Sequence, residues 1–224
     1  MSTIKDIYII GSSGHAKVII DLIESGLNYN IVGIIDDFKQ SGDNLLGYKI
    51  IGNIEHFKKL CKKSKENINV VVAIGESKNR KLIIYKLKDI ENIKYPILKH
   101  PNSYISKRSE IGEGTVILAN VIVSTNTIIG KHCILNHNCT VDHDSIINKY
   151  TTICPNVSIA GNVTVGENSI IGLGSNIIEK VRVSYNNYIG AGSCIIKDTH
   201  ANSLYFGCPA KRIRAINESD YFFS

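Results

Sequence analysis

The 224-residue sequence predicts a two-part chain, a small α/β unit followed by an all-β parallel solenoid. Three observations carry this expectation. Short apolar runs alternate with helix-like segments through residues 1–98. From Ile105 onward the apolar periodicity changes to six, which is neither the 3.6 of a helix nor the 2 of a simple strand. Gly is plentiful at 18, Pro is scarce at 4 and Trp is absent, which suits narrow coils with no room for indole.

The first strand is the apolar run Ile7-Tyr8-Ile9-Ile10, followed by the loop Gly11-Ser12-Ser13-Gly14-His15. Ala16–Glu24 then places Val18, Ile19, Leu22 and Ile23 at helical spacing. Ile31–Ile35 reads as a second strand ending in Asp36-Asp37, Val70–Ile74 as a third ending at Gly75, and Arg80–Leu87 as a helix. Strands alternating with helices build a parallel sheet with right-handed crossovers, a Rossmann-like arrangement. The first loop is where such sheets hold phosphates on helix N-terminal amides. The acidic pair follows at the distance where a ribose-binding carboxylate belongs. The loop is Gly-x-x-Gly rather than the full dinucleotide fingerprint, and fewer than 100 residues is half a dinucleotide fold. A mononucleotide, such as the nucleotide of an activated sugar, therefore fits better, and a small cap that binds nothing is the alternative. Lys99-His100-Pro101 reads as the linker into residues 99–224.

The second part repeats every six residues. From Ile105 to Ile195, 16 consecutive anchor positions are all Ile, Leu or Val. Two residues before each anchor, 15 of 16 side chains are small or β-branched, Asn187 being the exception. Gly or Ala often follows the anchor, as at Gly112, Gly130, Ala160, Gly166, Gly172 and Gly190. Three hexapeptides per coil give a triangular prism, with the large aliphatic inside and the small residue letting the corner close. Cys133 and Cys139 fall in small interior slots, which accounts for them without a metal.

Composition excludes several classes. Hydrophobic residues are 43% and charged residues 21%, values typical of a folded domain rather than a disordered chain. No apolar run approaches the roughly 20 residues of a membrane span, and Lys5 and Asp6 stand where a signal peptide would build its apolar core. The expectation is a cytoplasmic protein without membrane insertion, with six reduced cysteines. No Cys-x-x-Cys pair suggests zinc, and no dense run of Lys or Arg suggests nucleic acid at a net charge of +6.

Among the histidines, His143 stands out in Val141-Asp142-His143-Asp144. Counting from the Val141 anchor puts His143 and Asp144 at a coil corner. An imidazole beside a carboxylate is suited to general-base work, because the carboxylate fixes its tautomer and orientation. His137 occupies the equivalent place one hexapeptide earlier. As base candidates, His15, His56, His100, His132 and His200 read as ordinary lone histidines.

The whole chain resembles the bacterial nucleotide-4-amino-sugar N-acetyltransferases and the related sialic acid O-acetyltransferase-like proteins. These are hexapeptide-repeat acyltransferases with a left-handed parallel β-helix. The matching stretches are Tyr8–His15, Asp36-Asp37-Phe38, Ala73-Ile74-Gly75, Val141–Asp144, Ala160–Gly166 and Gly207-Cys208-Pro209-Ala210-Lys211. The resemblance implies acetyl transfer from acetyl-CoA to the 4-amino group of a nucleotide-linked 4-amino-4,6-dideoxy sugar, for surface polysaccharide such as O-antigen or lipopolysaccharide. It implies His143 as base and Asp144 as its orienter. It implies acceptor contacts from Gly11, Ser12, Ser13, Gly14, His15, Asp36, Asp37, Ile74 and Gly75. Acetyl-CoA, a co-substrate, would lie in a groove between prisms of a homotrimer, lined by Gly161, Leu173, Gly174, Ala191 and Gly192. Pro209 and Lys211, with Arg212 beside it, would meet its adenine and phosphate end. No metal is implied. Many relatives carry a second His nine residues after the base, thought to help hold the donor; here that position is Thr152. Three other readings remain open at this point: O-acetylation of a sialic acid or other sugar hydroxyl, a nicotinamide-dependent oxidoreductase, and a non-catalytic scaffold.

Overall fold

The computed structural model describes residues 4–217, 220 and 222. The chain divides into two compact units, Met1–Gly75 with Asn79–Leu98, and Glu76–Lys78 with Lys99–Ser224.

The first unit is a six-stranded sheet. Its strands are β1 (Lys5–Ile10), β2 (Tyr29–Ile35), β3 (Asn44–Leu45), β4 (Tyr48–Gly52), β5 (Ile68–Val72) and β6 (Ile93–Lys94), in the order β3-β4-β2-β1-β5-β6. All pairings are parallel except the β3–β4 hairpin. The central strand β1 buries Ile7, Ile9 and Ile10, matching its uninterrupted apolar run. Helix α1 (Gly14–Glu24) follows β1 and buries Ala16, Ile19, Ile20, Leu22 and Ile23 on one face. Helix α2 (Ile54–Lys63) starts at Asn53, whose side chain accepts from the His56 amide at 2.9 Å, a conventional N-cap. Glu55 in its first turn and Lys62 and Lys63 in its last complement the helix dipole. Helix α3 (Ser77–Leu87) begins three residues before the sequence-expected Arg80. The sequence expectations include neither α2 nor the β3–β4 hairpin: α2 is a short lysine-rich helix whose buried stripe is Ile54, Phe57 and Cys61, and the hairpin strand β3 has only two residues.

The second unit is a left-handed β-helix of two-residue strands. Strands 18 residues apart stack in parallel register, for example Thr140 on Ser158 on Asn176. This produces three sheets of eight, six and five strands. The anchors from Ile117 to Ile195 are all at most 2% exposed, while Ile105 and Ile111 in the first coil are only partly covered. The small residue two before each anchor does more than let the corner close. Thr115, Thr127, Ser145, Thr151, Ser169 and Ser175 are fully buried, and each hydroxyl donates to a corner carbonyl 15 residues on, at 2.8–3.2 Å. These bonds satisfy groups whose burial without a partner would be costly. Asn187, the exception to the pattern, closes the end of the helix. Its amide donates to Thr199 Oγ1 at 2.5 Å and accepts from the Ser203 amide at 2.9 Å.

The turning residue lies three after the anchor. From Gly114 to Gly192 every such position is left-handed, and half are Asn, as at Asn120, Asn138, Asn156, Asn162 and Asn168. Asn tolerates this region better than other non-glycine residues. The Gly directly after an anchor serves a different need. A Cβ at Gly130 would lie 2.5 Å from the Lys149 amide nitrogen of the next coil. A hairpin of Ser203–Gly207 and Ala210–Ala215 completes the eight-stranded sheet. All six cysteines are free.

Candidate functional site

His143 sits at the corner leaving the face built by Thr140–Val141, Ser158–Ile159 and Asn176–Ile177. Its Nδ1 is 2.8 Å from Asp144 Oδ2. An ionised carboxylate only accepts, so this contact places the ring proton on Nδ1 and leaves the Nε2 lone pair available in the neutral ring. Asp144 is itself fixed. It occupies the left-handed corner position, φ 57°, and its Oδ1 accepts from the Asn126 amide at 3.2 Å. The His143 backbone amide donates to Asp142 Oδ1 at 2.7 Å. The Asp144 hydrogen bond raises the imidazole pKa above its ordinary value, and Asp142 and Glu179 add to this through space. The bonds from His143 and Asn126 hold the Asp144 carboxyl below its usual range. The imidazole remains about half exposed, at 43% of its side-chain surface.

Gly161 lies one coil on from His143. A Cβ there would stand 2.6 Å from both Cε1 and Nε2 of the imidazole. Glycine at this position is therefore what lets the ring take its place, and Gly161 belongs to the His143 corner. A cavity of about 500 Å³ opens on the adjoining face, bordered by Thr140, Asp142, Ser158, Asn176, Ile178 and Glu179.

The other edge of the same face carries the remaining glycines. Leu173-Gly174 and Ala191-Gly192 stack one coil apart, with the Gly192 amide donating to Leu173 O at 2.7 Å. Earlier coils place Asn120, Asn138 and Asn156 at the turning position, linked amide to amide at 3.1 and 3.2 Å. That ladder stops at Gly174 and Gly192, which have φ of +62° and +67° and open space where a Cβ would project. The result is a bared backbone beside exposed Leu173 and Ala191. The terminal hairpin flanks it, since Phe206 packs against Gly190 and the Gly207 amide donates to Ser193 Oγ at 3.2 Å. Pro209 and Lys211 on that hairpin are exposed, whereas Arg212 Nε is engaged with Ser203 Oγ at 2.8 Å. Thr152 lies elsewhere. It is 2% exposed on the eight-stranded face, and its hydroxyl meets that of Ser77 at 3.2 Å.

In the first unit the glycine-rich loop closes on itself around Asp36. Gly11, at φ +102°, donates its amide to Ile35 O at 2.8 Å, and a Cβ would meet Ala73 O at 3.0 Å. Ser12 Oγ donates to Asp36 Oδ2 at 2.6 Å, and Asp36 Oδ1 accepts from the Phe38 amide at 2.8 Å. Ser13 is the N-cap of α1 without a side-chain cap bond, Gly14 opens the helix with nothing near its Cα face, and His15 follows, partly buried. The acidic pair divides its work. Asp37 Oδ1 accepts from the Ile54 amide at 2.9 Å and so serves the start of α2, with Lys86 Nζ 3.8 Å from its other oxygen. The Ile74 and Gly75 carbonyls are both held by Arg80 Nη1, at 2.8 and 2.9 Å. A second cavity of about 500 Å³ is bordered by Ser12, Ser13, Gly14, Lys17, Lys39 and Asn44.

Residues 6–87 match the PglD N-terminal domain, and residues 108–143 match the bacterial transferase hexapeptide, six repeats. The chain therefore carries one segment similar to the PglD N-terminal domain and one similar to the hexapeptide repeats of bacterial transferases. It is 30% identical over 116 residues to UDP-N-acetylbacillosamine N-acetyltransferase of Bacillus subtilis, an alignment covering 51% of this chain and 52% of that protein. The chain thus spans about half the length of that curated relative. Among solved structures, a histidine variant of perosamine N-acetyltransferase from Caulobacter crescentus, in complex with CoA and GDP-perosamine, superposes with a TM-score of 0.88 at 27% identity. That match covers 95% of this chain and 98% of the other. The acetyltransferase domain of PglB from Neisseria gonorrhoeae, in complex with acetyl coenzyme A, has a TM-score of 0.83 at 29% identity, covering 93% and 99%.

In this hexapeptide-repeat chain several site-lining residues escaped the sequence reading. Asn126 and Glu179 stand 18 residues before Asp144 and 18 after Gly161, so a column count at the coil length finds them. Lys17 and Lys39 follow the glycine loop and the acidic pair closely, and their proximity to both was the available signal. Among the described residues no group of three or more His, Cys, Asp or Glu side chains is placed to hold a metal ion, and no helix is long and apolar enough to cross a membrane.

Proposed function

We propose that the protein is an acetyl-CoA-dependent N-acetyltransferase acting on the 4-amino group of a nucleotide-linked 4-amino-4,6-dideoxy sugar. The observation that carries this is the His143–Asp144 pair, 2.8 Å apart at a solenoid corner with Nε2 open over Gly161. An amine attacks only through a neutral nitrogen. As the nitrogen bonds to the acetyl carbonyl carbon and the carbon–sulfur bond breaks, His143 Nε2 takes the nitrogen's proton and the thiolate leaves. Asp144 holds the ring in the tautomer this requires. A covalent acyl-enzyme is not needed. The buried thiols are poor candidates for one, with burial pushing Cys154 up to about 12.

Residues 1–98 serve as the nucleotide-sugar-binding domain and 99–224 as the acyltransferase domain. Gly11, Ser12, Ser13, Gly14, His15 and Asp36 form the acceptor loop, with Lys17 and Lys39 opposing the diphosphate charge. Asp37, Ile74 and Gly75 support that loop from its edges. The bared backbone at Gly174 and Gly192 fits a slender pantetheine chain between Leu173 and Ala191, and Pro209 and Lys211 lie towards its far end. Thr152 supports its own strand face rather than the donor. The B. subtilis and C. crescentus relatives support the reading through their named N-acetyltransferase activities, the C. crescentus structure through its bound CoA and GDP-perosamine, and the N. gonorrhoeae acetyltransferase domain through its bound acetyl coenzyme A. The enzyme works in the cytoplasm, as a homotrimer, in the synthesis of surface polysaccharide.

The test is turnover of acetyl-CoA against a panel of nucleotide amino sugars and free sugars, with wild type and His143→Ala. Wild type should consume a nucleotide amino sugar, and His143→Ala should lose at least about a hundredfold in kcat. Near-full turnover by His143→Ala would remove the base assignment, and preference for a free sugar hydroxyl would replace N-acetylation with O-acetylation.

A further inference from the structure

His143, Gly161 and Glu179 hold the same position in three successive coils, each 18 residues from the last. Backbone bonds lock this column. The Asn162 amide donates to His143 O at 2.9 Å, and the Lys180 amide to Gly161 O at 3.1 Å. Neighbouring strands in such stacks lie about 4.8 Å apart. His143 and Glu179 are thus two steps apart, and the step between them carries no side chain. The imidazole leans its Nε2 edge into that gap, because a Cβ on Gly161 would lie 2.6 Å from Nε2. Glu179 is exposed and borders the cavity on the adjoining face together with Asp142. Asp142, Asp144 and Glu179 all act electrostatically on His143. The next charge in the column, Lys197, stands on the far side of Glu179.

We infer that Glu179 and His143 are the two walls of an ammonium-binding notch that receives the protonated amine of the acceptor. Its floor is Gly161. The inference rests on the amine-acetylation reading above and adds to it a residue that selects for the charge of the acceptor. A sugar amine arrives largely as a cation. A carboxylate across the gap from the base draws that cation to Nε2 and gives a neutral hydroxyl no such advantage. Glu179 is a binding residue here and moves no proton; His143 Nε2 takes the first proton from the bound ammonium and releases it to solvent, then takes the second as the neutral amine attacks.

Substitution Glu179→Gln keeps the size and removes the charge. With the best nucleotide amino sugar from the panel as probe, KM for the acceptor should rise about three- to tenfold, the range of one partly screened charge pair. The kcat should stay within about twofold, and KM for acetyl-CoA should not change. Glu179→Asp should recover part of the loss. Wild-type acceptor KM should rise with added salt more steeply than that of Glu179→Gln. An unchanged acceptor KM in Glu179→Gln, with wild type active on the amine, overturns the notch alone. A fall in kcat together with a lower melting temperature overturns it in favour of a structural role. Failure of wild type to acetylate any amine in the panel overturns the N-acetylation reading and the notch with it.

Discussion

At the scale of single residues, the site depends on one carboxylate and one missing side chain. Asp144 is the first cause of the raised His143 pKa. A base must be neutral to act, so the acidic limb of kcat/KM should fall above the ordinary imidazole value of about 6.5. Asp144→Asn removes the carboxylate but installs the residue that already occupies half of the left-handed corners here. It should fold normally, lower kcat and move the acidic limb to lower pH. A limb that stays in place would show that another group controls the titration. Gly161→Ala puts a methyl 2.6 Å from Nε2. Its backbone is not in the left-handed region, so the damage should be confined to the imidazole: kcat should fall at least tenfold with little change in melting temperature. His143 and Asp144 were legible in sequence because they are adjacent. Asn126 and Glu179 were not, because one full coil separates Asn126 from Asp144 and two separate Glu179 from His143. The division of Asp36 and Asp37 was equally hidden, since Asp37 caps α2, an element the sequence did not announce.

At the scale of elements, the six-residue period located each two-residue strand from Tyr104–Ile105 to Cys194–Ile195, since each anchor must point inward, but not Leu98–Lys99 or the terminal hairpin that extend the eight-stranded sheet. The period did not say which residue turns the corner. That residue lies three after the anchor and is recognised by Asn repeating at steps of six. The distinction has consequences for stability. Gly130→Ala would drive a Cβ to 2.5 Å from the Lys149 backbone nitrogen and force two coils apart. A loss of about 1–3 kcal/mol is expected, seen as a clear drop in melting temperature by calorimetry. Gly174→Asn should behave oppositely. It restores the residue found at Asn138 and Asn156 and can extend their amide ladder. The fold should keep its melting temperature, while the filled corner should raise KM for acetyl-CoA. An unchanged KM would remove this corner from the donor site. In the first unit, α1 was legible from its Ile19, Leu22 and Ile23 spacing. α2 was missed although Asn53, Ile54, Phe57 and Cys61 carry its cap and buried stripe.

At the scale of the whole molecule, the solenoid leaves apolar side chains on its outer surface. Ile122, Ile128, Ile146, Ile178 and Ile196 are 38–44% exposed, and they recur on successive coils. Repeated exposed isoleucine on a stack of flat faces is the pattern expected of surfaces covered by further copies of the same chain. Light scattering should return a mass near three times 24.7 kDa. A value near one times would remove both the trimer and any donor groove between copies. The most direct test follows the transferred group itself. Wild-type protein is given isotopically labelled acetyl-CoA and a nucleotide 4-amino sugar, and the product is examined by NMR. The account predicts the label in an amide on the sugar's 4-nitrogen, with none formed by His143→Ala on the same timescale. Label in an ester on a sugar hydroxyl, or on free sugar alone, would contradict it.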